Sequence, residues 1–196
     1  MADKTGDVVV RRRRAALAGH EGDEAAARQG LADEAGDVRA TALGALERMS
    51  RLEGSDVEAA LTDPDPVVRR RAAEVSAPMP APRVAELLGD ADPLVVEAAC
   101  FALGERAEGS VVPALAGVAR DHRDPLCREA AVAALGAIGD REGLPAILAA
   151  LDDKPAIRRR AVIALAPFDG PEVTAALARA AQDRDWQVRQ AAEDLA

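Results

Sequence analysis

Two histidines and two cysteines are the whole stock of imidazole and thiol in this chain of 196 residues, so any nucleophilic or metal chemistry has to start from very few groups. His20 is followed by Glu21, and His122 by Arg123. Both histidines fall in expected turns between helices with no nucleophile motif beside them, so neither a Ser-His-Asp nor a Cys-His relay is expected. Cys100 and Cys127 stand at apolar positions of two expected helices and read as small buried hydrophobes. Two isolated cysteines give little support to a disulfide or a metal pair. The chain has no phosphate-cradling loop and no dinucleotide-type glycine pattern. No catalytic residue, metal or cofactor is therefore expected.

What does recur is charge at fixed spacing. Aspartate precedes arginine by four residues in Asp65–Arg69, Asp124–Arg128 and Asp185–Arg189, the favourable order for a pair on one helix. Arg39 and Arg158 occupy the same place as those arginines, and Val96 is the exception. Arginine tracts at 11–14, 69–71 and 158–160 leave Arg70, Arg71, Arg159 and Arg160 in excess of such pairing. Glu97 and Glu129 break the stripe, so solvated helix faces are the favoured reading over a basic patch.

The elements that position these residues form a repeat. Taking the apolar residue before the arginine as anchor gives Val38, Val68, Val95, Cys127, Ile157 and Val188. Four residues further on stands alanine every time: Ala42, Ala72, Ala99, Ala131, Ala161 and Ala192. Anchor, +4, +7 and +8 share one helix face, and alanine at +4 lets a neighbouring helix come close. Asp three before the anchor is a good N-cap, and the proline that often follows suits the first turn. A Gly- or Pro-rich break, such as 136–140 or 168–171, separates this helix from a second, for example Leu144–Leu151 or Glu172–Ala181. Seven units are expected, the last half complete. The first is degenerate near Val8–Val10, with arginine at the +4 place.

The D-P-x-V-R-x-x-A pattern, followed by A-L-G and a second helix, resembles the short type of HEAT repeat found in phycobilisome lyase subunits. The expected fold is all-α, a right-handed α-solenoid of about seven helix-turn-helix repeats spanning residues 8–196 as one domain, after a short tail at 1–7. The resemblance implies that Asp65, Arg69, Asp124, Arg128, Arg158, Asp185 and Arg189 form a ladder linking successive repeats. It also implies that second helices line the concave face.

Function is less constrained, because the fold hosts scaffolds, adaptors, lyases and a few enzymes. The deoxyhypusine hydroxylase branch builds a di-iron site from repeated His-Glu pairs, and two histidines cannot supply it. A DNA glycosylase needs a basic channel with aromatics, whereas this chain has a net charge of −9, one tryptophan and no tyrosine. No nucleic acid or membrane partner is expected, and a cytoplasmic monomer follows by default. The expected function is non-catalytic binding of a partner protein or peptide. The contact residues expected are Asp56, Arg83, Glu86, Glu172 and Arg179 on second helices, with Trp186 beside the last unit. The alternative is an accessory lyase or chaperone subunit that helps attach a chromophore or cofactor to a protein.

Overall fold

Asp65, Asp92, Asp124 and Asp185 each accept a hydrogen bond, at 2.9–3.0 Å, from the backbone N–H two residues further on. They are the N-caps expected, and proline follows three of them in the first turn, where no N–H is missed. The computed structural model describes residues 4–79 and 82–195. The first helices of the units are α1 (Lys4–Glu21), α3 (Gly36–Arg48), α5 (Pro66–Ser76), α6 (Pro93–Glu105), α8 (Pro125–Ile138), α10 (Pro155–Ala164) and α12 (Trp186–Glu193). The second helices are α2 (Glu24–Gly30), α4 (Gly54–Ala60), α7 (Val112–Asp121), α9 (Leu144–Ala150) and α11 (Pro171–Ala180). In the third unit the second element is the 3₁₀ stretch Pro82–Gly89. No strand occurs among the described residues.

The chain forms two compact units, residues 1–87 and 88–196. In the first, α3 packs between α1 and α5; in the second, α6, α8, α10 and α12 touch in unbroken succession. Burial agrees with the repeat register in the six repeats that carry the alanine. All six anchors and all six +4 alanines are at most 2% exposed. Leu46, Leu103, Leu135 and Leu165, at +8, are equally buried. The second helices contribute Val57, Val84, Leu115, Ile147 and Val173 to the same cores.

The first unit starts earlier than the sequence suggests, because α1 is already helical at Lys4; residues 1–3 and Ala196 lie outside the described residues. Its anchor and +4 places hold Val10 and Arg14, both exposed, since no helix stacks on that side of α1 within this unit. An arginine there keeps a solvated face where the other units have an alanine contact. A second difference concerns the expected break at 136–140. α8 runs on to Ile138 and ends at Gly139, whose φ of +70° gives the left-handed C-terminal turn that glycine adopts without cost. Gly136 is therefore inside the helix. No described helix is long and apolar enough to cross a membrane.

Candidate interaction surface

Arg128 does not pair with the aspartate four residues before it, as the sequence pattern suggests. That aspartate is occupied by the backbone N–H it caps. Arg128 instead reaches into the next repeat, where Nε and Nη2 donate to the two carboxylate oxygens of Asp153 at 2.7 and 2.9 Å. Arg158 holds Asp183 in the same two-pronged way, at 2.8 and 2.7 Å. In the first unit Arg39 holds Asp63, and Arg11 holds Asp33. Each of Arg39, Arg69, Arg128, Arg158 and Arg189 also donates Nη1 to carbonyls of its own preceding loop, as in Arg128 to His122 and Arg158 to Asp153. Arg11, Arg39, Arg128 and Arg158 thus join neighbouring repeats through Asp33, Asp63, Asp153 and Asp183. For Asp33, Asp63 and Asp183 the sequence signal is an aspartate two residues before the N-cap, and for Asp153 one residue before the N-cap Lys154; each accepts the N-cap residue's backbone N–H.

One rung is missing on both sides at once. Val96 replaces the arginine of α6, and His122 stands where the next loop has its aspartate. Val96 is fully buried, and His122 Nδ1 accepts the Asp124 N–H at 3.1 Å, as the aspartates do elsewhere. An apolar residue thus takes the place of the cation, and the imidazole keeps the loop-forming half of the aspartate's job.

The ladder sets an acid limit to stability. The Arg128 guanidinium holds the Asp153 carboxyl below the usual range, and Arg158 does the same for Asp183. Folded values below the unfolded value of about 3.9 mean a contribution complete above that pH and lost as pH falls through the folded values. Urea midpoints of the parent chain should therefore fall steeply below about pH 4. An Asp153→Asn/Asp183→Asn variant should be less stable at neutral pH and decline less in that acid range; equal acid slopes for the two proteins would show that other carboxylates set the limit.

The expected contact residues of the second helices are largely engaged in ion pairs. In the first unit Asp56 is mostly buried, accepts from Arg28 at 3.2 Å and caps the Glu53 N–H; Arg83 pairs with Glu86. In the second unit Glu172 pairs with Arg141, and Arg179 with Asp152. Trp186 differs. It is 65% exposed, so it does not cover the core, and it lies with Arg159 and Ile163 in a groove between α10 and α12.

Exposed apolar side chains lie instead on the first helices: Val67 in the first unit, and Leu94, Phe101, Leu126, Ile163 and Trp186 in the second. A groove of about 440 Å³ in the second unit runs between α6 and α8. Phe101 and Leu126 wall it, Gly104, Ala130, Ala133 and Ala134 floor it, and Glu97, Glu105 and Glu129 line its edge, with Arg160 at one side. The floor is shallow because the helices stack so closely that a β-carbon on Gly104 would sit 2.9 Å from the Ala134 Cα. The corresponding groove of the first unit is polar and basic, lined by Arg12, Arg48, Arg70 and Arg71 with Asp37 and Glu74. There Arg70 and Arg71 both pair with Glu74. The sequence hid this face, since alternation of large and small residues on a helix surface becomes a groove only when a second helix is beside it.

The thiols are inert in their surroundings. Burial, with Cys127 nearby, pushes Cys100 up to about 12; burial, with Asp124 and Glu97 nearby, pushes Cys127 up to about 11. Cys127 Sγ donates to the Pro93 carbonyl at 3.3 Å. Among the described residues no three His, Cys, Asp or Glu side chains gather as a metal ligand set.

Stacked helix pairs joined by this ladder define a helical-repeat protein. The family model for HEAT repeats matches residues 80–156 and 144–194, more than half of the chain, and the chain belongs to that family. No curated protein matches it. Among solved structures it is similar to YibA of E. coli, with 18% identity, a TM-score of 0.65, and 85% of this chain and 67% of that one covered. It is also similar to human deoxyhypusine hydroxylase, with 20% identity, a TM-score of 0.51, and 95% and 78% covered. A designed armadillo repeat protein in complex with the peptide (KR)4 has 16% identity and a TM-score of 0.54, with 98% and 92% covered. At these identities the likeness is one of fold.

Proposed function

We propose that this array, whose short units we read as the phycobilisome-lyase-like type of HEAT repeat, is a non-catalytic binding module that holds a partner protein or peptide on the row of first helices. One observation carries the reading. The chain has three aromatic residues, and two of them, Phe101 and Trp186, are 57% and 65% exposed along that row while Phe168 is buried. A core otherwise made of alanine, leucine and valine has the most to gain from burying an aromatic ring, about 150–250 Å² each. Leaving two in water beside Leu126 and Ile163 is the pattern of a contact surface. The designed armadillo protein of like fold holds a peptide, which supports the same use of stacked helices here.

Affinity capture from cell extract tests it. A partner retained by the parent chain should be lost with Phe101→Asp/Leu126→Asp and kept with Glu172→Lys/Arg179→Glu on the second helices. Retention by the first pair and loss by the second would move the binding surface to the second-helix row.

A further inference from the structure

We infer that the groove between α6 and α8 receives an apolar side chain carried on a basic segment of another protein, an amphipathic helix with Lys or Arg beside its apolar stripe. This rests on the reading of the first-helix row as a contact surface and adds the chemistry of the occupant.

Shape points to an apolar anchor. At about 440 Å³ the groove is within the range of ligand-binding clefts, roughly 300–1,000 Å³. Its walls and floor are carbon: Phe101, Leu126 and the alanines, with Gly104 allowing the deepest approach. Two parallel helices leave a trough that fits a third helix laid along it by its i, i+3, i+4 face.

Charge points to a basic flank. Glu97, Glu105 and Glu129 stand along the groove against one guanidinium, and that one, Arg160, is already 3.5 Å from Glu129. No cation lies within ion-pair distance of Glu97 or Glu105 among the described residues. Arg106, next in sequence to Glu105, donates to Glu108 instead. Two carboxylates beside an apolar wall attract cations more strongly than the same charges in open water, because the low-dielectric wall focuses their field. The groove lined by Arg70 and Arg71 and the groove at Trp186 do not offer this combination. That of the first unit is basic, and the one at Trp186 carries Arg159 against Asp194 with two glutamines between. A basic amphipathic helix is therefore repelled by the first unit's groove and drawn to the α6/α8 one.

The probe is a labelled helical peptide of Leu, Ala and Lys, with leucine at i, i+3, i+4 and i+7, measured against a twin that has Glu for every Lys. A photoreactive leucine analogue at the central position reports where the peptide sits. At ~150 mM salt the Lys peptide should bind the full chain saturably and cross-link to α6 and α8, and the Glu twin should not. Phe101→Ala and Glu97→Lys/Glu105→Lys should each weaken it roughly ten-fold or more. Asp121→Lys/Asp169→Lys, which changes net charge equally outside the groove lining of the same unit, should leave affinity within about two-fold. Far-ultraviolet circular dichroism checks that each variant is folded. Equal loss in the remote reversal, preference for the Glu twin, or no saturable binding below ~1 mM overturns the inference. Cross-linking to the second helices or to the first unit overturns the groove but leaves a protein-binding module. Loss of that broader reading shows separately, as a captured partner indifferent to Phe101→Asp/Leu126→Asp.

Discussion

Arg158→Val should destabilise the second unit by about 3 kcal/mol, the lower part of the 3–5 kcal/mol cost of breaking a buried ion pair. Arg158 is 5% exposed. It makes two hydrogen bonds to Asp183 and one to the Asp153 carbonyl. Removing it leaves the Asp183 carboxylate with only the Asp185 N–H at 2.8 Å and a side chain 16% exposed, enough water contact to temper the penalty. The chain itself contains the compensated alternative. Where α6 lacks the arginine, the facing loop lacks the aspartate, and Val96 with His122 fills the two positions. The double variant Arg158→Val/Asp183→His should therefore recover much of the loss, since an apolar replacement of both charges is often neutral while removal of one is not. Denaturant unfolding followed by circular dichroism measures the global cost. Amide hydrogen exchange in α10 and α12 locates it, which matters in an array where neighbours carry the coupling. If the double variant is as unstable as the sum of the single ones, the rung does not act as a pair.

Gly136→Ala should cost about 2 kcal/mol, although local propensity favours it by about 1 kcal/mol inside a helix. A β-carbon there would lie 2.7 Å from the Ala164 Cα, 2.6 Å from its Cβ and 3.1 Å from its carbonyl oxygen. Backbone cannot swing aside as a side-chain tip can, so α8 and α10 would have to part, and the contacts along both helices loosen with them. Gly136→Val should cost more again. Gly117 in α7 is the control, because a β-carbon there meets nothing within 4 Å. Gly117→Ala should stabilise by about 1 kcal/mol through propensity alone. Gly44 lies between: its new β-carbon would meet the Arg71 guanidinium, which can move. Urea midpoints of the three variants should then order as Gly117→Ala above the parent, Gly44→Ala near it and Gly136→Ala below. A stabilised Gly136→Ala would mean that the two helices are not in backbone contact.

Much of this molecule is written in its sequence because its information is local and repeated. The anchors, the +4 alanines and the N-cap aspartates each depend on residues within one or two helical turns, and six copies average out the irregularities of any one. Burial at 2% or less for all twelve anchor and +4 positions follows from that periodicity. The class of fold, the seven units and the interleaved breaks were legible for the same reason.

Choices between equivalent neighbours were decided only when the helices stacked. Arg128 had an aspartate four residues before it and another 25 residues after it. Asp124 was the acceptor suggested by helix spacing, but its carboxylate caps the Leu126 N–H, so the guanidinium turned to Asp153 in the next loop. Gly136 read as part of a break because glycine weakens a helix locally; stacking against Ala164 gave it a packing role that no local rule contains. The contact face changed in the same way. Asp56, Glu172 and Arg179 looked available on their own helices and found partners on adjacent loops and helices, whereas Phe101 and Leu126 form two walls of one groove only because α6 and α8 lie side by side. Sequence determines which residues share a face of one helix, since that depends on a fixed rotation per residue. Tertiary structure determines what stands across from that face, since that depends on which distant segment the buried alanines and glycines allow to come near.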